Sequence, residues 1–312
     1  MAAYRNALPQ LSGGFFLADG GIETDLMFNR GITVPHFAAH TLLADKTGKL
    51  ALQTYYRDFL ALAQATGAGF ILDSQTWKAH LHWADELGAT EDELREANIQ
   101  SIAFIAAIRE EFSGNKGPIV LNAIMGPLGD AYAPGQDVAE AEAEDYHSQQ
   151  IAWLADTEAD MLTATTFTQS AEAIGLVRAA KKSRLPVVVS FTVETDGRLP
   201  SGQPLGEAIE AVDRATDFAP AYFMVNCAHP DHFSHVLDDS SWARRIRALR
   251  CNASRKSHAE LDQSEVLDAG DPVELAQQYQ ALQAAMPWVN VFGGCCGSDL
   301  RHVTRIAHAL TT

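Results

Sequence analysis

The chain has 312 residues, 47% hydrophobic and 20% charged, which fits one large α/β domain and excludes a globally disordered chain. A formal net charge of -17 argues against nucleic acid and anionic membrane surfaces as partners. Met1 to Gly13 holds no charged start followed by a long apolar run, and no stretch approaches the roughly 18 apolar residues of a spanning helix, so the sequence reads as cytoplasmic with no membrane segment.

Phe15-Phe16-Leu17-Ala18 reads as a first strand, broken by Asp19-Gly20-Gly21. Pro35 to Ala44 reads as a loop entering a short helix, and Leu50 to Ala65 carries apolar residues at helical spacing up to a stop at Gly67. Gly69 to Ser74 is a second strand, and Thr90-Glu91-Asp92-Glu93 opens a helix as a capping box that runs to about Phe112. Strands are expected at Pro118 to Ile124, Asp160 to Phe167, Pro186 to Val193 and Ala221 to Val225, with a weaker one at Arg247 to Cys251 and an eighth at Val289 to Phe292. Helices fill the gaps at Val138 to Asp156, Ser170 to Lys182, Leu205 to Phe218, Pro272 to Met286 (with Asp271 as N-cap) and Leu300 to Leu310.

The strands are continuous apolar runs, as expected of a parallel sheet buried on both faces. Eight strands, each followed by a helix or a helix-sized gap, predict a single (β/α)8 TIM barrel over residues 1–312. Asp19-Gly20-Gly21-Ile22-Glu23 is not the glycine fingerprint of a doubly wound dinucleotide fold.

In such a barrel the chemistry sits at the C-terminal ends of the strands. Asp19, Gly20 and Gly21 fall there, as do Ser74 to Trp77, Thr165 and Thr166, Glu194, Asn226 and Cys227, Asn252, and Cys295 and Cys296. Cys227 stands 68 residues from Cys295, useless for a local zinc knuckle and sensible only if the sixth and eighth strands end on one rim. Three thiolates there leave a fourth position open, the mark of a catalytic zinc; on spacing alone the same cysteines could be small buried hydrophobes. Without a secretion signal the chain should meet a reducing compartment, where clustered cysteines favour metal or catalysis over disulfides.

Asp19-Gly20-Gly21-Ile22-Glu23-Thr24-Asp25-Leu26, Asn226-Cys227 and Gly293-Gly294-Cys295-Cys296-Gly297 together resemble the homocysteine S-methyltransferase family. Further landmarks agree: Gly126-Pro127 with Tyr132, Ser190-Phe191-Thr192-Val193, the Gly197 to Gly202 loop and Asn252-Ala253-Ser254. The resemblance runs from about Phe15 to Ala309. It implies a zinc ion held by Cys227, Cys295 and Cys296, and a small thiol and a small methyl donor as the partners. S-methylmethionine, S-adenosylmethionine or betaine would then methylate homocysteine to methionine. By the same resemblance Asp19 binds the substrate amino group, and Gly20, Gly21, Thr76, Trp77 and Asn226 lie around it. Trp77 and Trp83 offer aromatic faces to a methylated cation.

One position departs from the pattern. Thr165 stands where the family commonly carries a substrate-binding Glu, with Glu194 as a compensating candidate. The acceptor is therefore open between homocysteine, another thiol and a selenol such as selenocysteine. The cysteine pattern would also serve a zinc hydrolase or a non-enzymatic thiol redox sensor. His80 and His82 read as packing or surface residues in a probable helix, His229 and His232 as candidates to support the cysteines, and Cys251 as a buried thiol.

Overall fold

The structure is a computed structural model that describes residues 2–131 and 137–311; Tyr132, a landmark above, lies outside them. Eight strands pair in parallel and in chain order, and β1 pairs with β8 to close the barrel. They are β1 (Phe16–Leu17), β2 (Gly69–Asp73), β3 (Ile119–Met125), β4 (Met161–Phe167), β5 (Val187–Phe191), β6 (Tyr222–Asn226), β7 (Ile246–Cys251) and β8 (Val291–Gly294). The principal helices follow in turn: α1 (Lys46–Thr66), α2 (Glu91–Glu111), α3 (Glu140–Ala155), α4 (Ser170–Ser183), α5 (Leu205–Thr216), α6 (Pro230–Phe233), α7 (Pro272–Ala285) and α8 (Leu300–Thr311). The (β/α)8 expectation holds. No helix among the described residues is long and apolar enough to cross a membrane.

Side chains alternate across each strand, and both faces are apolar for different reasons. Val187, Val189, Phe223 and Leu249 face the helices in one large cluster, while Ile71, Val120, Val188, Met224 and Ala248 fill the barrel interior in a second. Continuing the inward-facing positions toward the C-terminal ends, the residues turn polar: Asp73, Asn122, Thr163, Ser190, Asn226 and Arg250. These bond one another: Asn122 Nδ2 donates to Asp73 Oδ1 at 2.7 Å, and Thr163 Oγ1 to Asn122 Oδ1 at 2.9 Å. The barrel is thus oily at its base and polar under its upper rim.

Local signals decide most boundaries. Thr90 and Glu93 form the expected capping box, and Asp271 accepts from Val273 N at 2.8 Å to start α7. Helix α1 starts at Lys46, earlier than its apolar pattern, because Asp45 caps the free amides of Thr47 and Gly48. Strand β8 differs more. Val289 belongs to the turn after α7, its amide donating to Met286 O, and both glycines join the strand. A Cβ on Gly293 would stand 2.8 Å from Asp19 O, so a glycine is required by the close approach of β1.

At the opposite end the N-terminal segment seals the base. Arg5 donates to Ala155 O, Thr157 O and Ala159 O, and buried Asp160 accepts from Tyr4 N at 2.7 Å, Leu121 N at 2.9 Å and Arg109 Nη1 at 3.2 Å. Replacing Asp160 with Ala strands a buried guanidinium and two amides, and is expected to cost about 3 kcal/mol of unfolding free energy. Urea denaturation measures this.

Candidate metal centre and pocket

Under the C-terminal rim lies a cavity of 160 Å³, walled by Asp19, Gly20, Gly21, Glu23, Tyr56, Asp73, Gln75, Trp77, Thr165, Asn226, Arg250 and the cysteines Cys227, Cys295 and Cys296. The rim is assembled by backbone contact between the loops after β1 and β8. Gly21 N donates to Ser298 O at 3.0 Å, Gly297 N to Thr24 Oγ1 at 3.1 Å, and Gly294 N to Asp19 O at 2.8 Å. A Cβ on Gly21 would stand 2.6 Å from Cys295 O, which is why Asp19 is followed by two glycines.

Cys227 leaves β6 with φ of 54°, a left-handed conformation costly for any residue but glycine. Four hydrogen bonds hold it there, one of them from Thr192 Oγ1 to the Cys227 carbonyl at 3.3 Å. Its amide donates to Arg250 O at 3.1 Å, while its carbonyl accepts from Asn252 Nδ2 at 3.0 Å and His258 Nε2 at 2.7 Å. The other His258 nitrogen lies 3.0 Å from Glu194 Oε1. Thr166 is also left-handed at φ of 66° and is fixed by Asn226, whose Oδ1 accepts from Thr166 N at 3.0 Å and whose Nδ2 donates to Thr166 Oγ1 at 2.8 Å. The same Nδ2 lies 3.8 Å from Cys295 Sγ. Backbone strain of about 1–3 kcal/mol per residue is therefore concentrated beside the cysteines.

The three cysteine sulfurs lie within 4.8 Å of one another, with Cys227 and Cys296 3.9 Å apart. A tetrahedral zinc with Zn–S near 2.3 Å places its sulfurs about 3.8 Å apart, the spacing of the Cys227–Cys296 pair. Cys227 and Cys295 are drawn together as a disulfide with Cα atoms 5.3 Å apart. The sequence expectation was of free thiols; the two loops converge closely enough that either form is within reach. A disulfide offers no thiolate, so the three-ligand set belongs to the reduced chain. Cys251 takes no part: it faces the helix layer, and burial pushes its thiol up to about 12.

Arg250 dominates the charge of the pocket. Nη2 donates to Asp19, Nη1 to Asp73, and Nε to Gly294 O at 3.1 Å. All three side chains are nearly buried. Burial raises the Asp19 carboxyl against the pull of Arg250, and the nearby Asp73 adds to the rise. Glu23 is raised to about 7 by burial.

Among the residues expected at the site, Asp19, Gly20, Gly21, Trp77, Thr165 and Asn226 line the cavity with the cysteines. Thr76 sits behind the wall, its hydroxyl donating to Ile124 O at 2.6 Å, and Glu194 is turned to His258. Trp77 Nε1 donates to Thr165 O at 3.2 Å, while the Trp83 face is covered by Lys78 Nζ at 3.7 Å from the ring centre. His80 is buried against the Tyr146 hydroxyl and precedes a short turn rather than lying in a helix. His229 caps α6 and His232 lies 2.9 Å from Arg255 O, so the histidine that reaches Cys227 is His258. Glu23, Gln75, Asp73, Arg250 and His258 were not singled out as ligands in the sequence; only their strand-end or loop placement pointed to them.

The profile of the homocysteine S-methyltransferase family matches residues 16–310. Among curated proteins no sequence match is found. Crystal structures of the homocysteine methyltransferase MmuM from Escherichia coli superpose over almost the whole chain. The metallated form has a TM-score of 0.75 at 16% identity, covering 98% of this chain and 99% of that one. The oxidized form has a TM-score of 0.73 at 17% identity, covering 94% and 95%. At such identities the likeness shows the fold.

Replacing Arg250 with Met leaves two buried carboxylates without their cation, at an expected cost of about 3–5 kcal/mol. In the variant the Asp19 carboxyl, already raised by burial, loses the opposing pull of Arg250 and rises further above its unfolded value. Stability is then retained at low pH and lost as pH rises through the raised pKa. Urea midpoints of variant and wild type should converge at pH 5 and separate at pH 8.

Proposed function

Since the chain belongs to the homocysteine S-methyltransferase family, we propose that it moves a methyl group from a small onium donor to homocysteine, with zinc held by Cys227, Cys295 and Cys296. The observation that carries this reading is the triangle of cysteine sulfurs on the wall of a small cavity. Zinc bound there supplies the Lewis acidity that keeps a thiol deprotonated at neutral pH. The thiol sulfur donates its lone pair to the methyl carbon. The bond from that carbon to the donor's positive sulfur or nitrogen breaks, and its electrons stay with a neutral thioether or amine. No proton has to be delivered to the leaving group.

The chain's own residues bind, orient and exclude water. Asp19, Glu23, Asp73 and Asp130 line the cavity with one guanidinium, that of Arg250, an excess of acidic groups that suits a cationic donor. Trp77 places an aromatic surface on the same wall. Asn226 directs an N–H toward Cys295 Sγ, and His258 and Asn252 fix the Cys227 turn. Reduced cysteines are required, as the cytoplasm maintains them.

The reduced chain should bind about one zinc and form methionine from homocysteine with S-methylmethionine, S-adenosylmethionine or betaine. Cys227→Ala, Cys295→Ala and Cys296→Ala should each lose the metal and about a thousandfold or more of the activity, while Cys251→Ala keeps both. Elemental analysis showing full zinc in Cys296→Ala would falsify the metal assignment. Turnover of another thiol or a selenol, but never homocysteine, would move the acceptor.

A further inference from the structure

The sequence offers Glu194 as a substrate ligand in compensation for Thr165, but neither Glu194 nor His258 is among the residues that wall the cavity. Glu194 reaches the cysteines by another route. Its Oε1 lies 3.0 Å from His258 Nδ1, and His258 Nε2 lies 2.7 Å from the Cys227 carbonyl. The ring is clamped between two acceptors, one at each nitrogen. Thr192, two residues before Glu194 on the segment leaving β5, closes the clasp. Its hydroxyl donates to Cys227 O at 3.3 Å and lies 3.3 Å from His258 Nε2. Both ends of this relay are fixed by their own backbones. Glu194 sits in a tight turn, its amide donating to Arg198 O at 2.7 Å and its carbonyl accepting from Gly197 N at 2.9 Å. Buried His258 opens a short helix that Ser257 and Glu260 cap.

Of the three cysteines on the cavity wall, only Cys227 has a left-handed backbone. Such a residue relaxes by rotating about its N–Cα bond, which carries its carbonyl and its side chain together. The Cys227 amide is anchored on Arg250 O, so the bonds to its carbonyl set that rotation. Whatever holds the carbonyl also holds Sγ. Building on the zinc site proposed above, we propose that Glu194 is a positioning residue: through His258 it holds the Cys227 carbonyl, and so aims Cys227 Sγ at the metal shared with Cys295 and Cys296. Glu194 then has no contact with the substrate, and its effect on methyl transfer passes through the metal. Without the carboxylate the ring is free to turn, and Cys227 O is left to Asn252 and Thr192. Supporting bonds of this kind commonly change metal affinity or activity by about 10–100-fold.

The test measures zinc affinity of the reduced chain by competition with a chromophoric chelator, in wild type, Glu194→Ala, Glu194→Gln and Asp196→Ala, with the urea midpoint of each metal-free protein as a check on folding. Asp196 belongs to the same turn but bonds Arg198 N rather than His258. Glu194→Ala should weaken zinc about tenfold or more at an unchanged midpoint, while Asp196→Ala stays within about twofold of wild type. Glu194→Gln, whose amide oxygen still accepts from Nδ1, should recover part of the loss. With cobalt(II) in place of zinc, the thiolate-to-metal absorption should change in Glu194→Ala and not in Asp196→Ala. In a His258→Gln background the Glu194→Ala change should cost little more, because the path runs through the ring; additive losses overturn the assignment. A substrate ligand behaves differently: KM for homocysteine would rise while zinc affinity and the cobalt spectrum held, and that result also overturns it. Wild-type zinc affinity in Glu194→Ala refutes the role of Glu194 alone, whereas a wild type that binds no zinc refutes the metal centre and this role with it.

Discussion

Arg250 is the interaction on which the rest of the rim depends. From β7 its guanidinium reaches Asp19 after β1, Asp73 at the end of β2 and Gly294 O at the end of β8. Four neighbouring strands around the barrel seam are tied through one side chain. A buried cation is tolerated only when its donors are met, and this one has two carboxylates and two carbonyls. The network continues from Asp73 to Asn122 and Thr163, so the polar layer beneath the pocket is satisfied through four strands. That layer explains how an oily barrel can end in a charged site.

On this platform the cysteines are held by restraint rather than by packing. Cys227 and Thr166 both take left-handed backbone conformations that their side chains disfavour. Asn226 serves both strain points, bonding Thr166 and approaching Cys295 Sγ, while Asn252 and His258 hold the Cys227 carbonyl. Metal sites commonly rely on such supporting hydrogen bonds to aim their ligands. Here the supports come from β6, the loop after β7 and the short helix His258–Asp262. The sulfur triangle is a property of the closed barrel, not of any local motif.

Much of this was legible in the sequence because the signals are local and physical. Buried parallel strands need apolar runs on both faces, and those runs are plain at Val187 to Phe191 and Ile119 to Met125. The Thr90 to Glu93 capping box placed the start of α2 to the residue. The double cysteine with Cys227 could be read as one site once strand ends were known to share a rim. What could not be read were pairings across the barrel. Nothing near Arg250 in sequence says that Asp19 and Asp73 will claim it. His258 reaches Cys227 from a separate helix, while the nearer His229 and His232 turn elsewhere. Lys78 Nζ lies 3.7 Å from the Trp83 ring centre and 5.8 Å from that of Trp77, and no local signal in the sequence announces either contact. β8 was misplaced by two residues because Gly293 reads as a breaker, whereas the approach of Asp19 makes it a strand residue.

The central claim is that three cysteine thiolates hold a metal whose remaining position takes the substrate thiol. X-ray absorption at the zinc edge, on the reduced and zinc-loaded chain, tests it most directly. Three sulfur neighbours at about 2.3 Å and one lighter neighbour are expected, becoming four sulfurs when homocysteine is added. Fewer than three sulfurs, or a first shell unchanged by homocysteine, would contradict it.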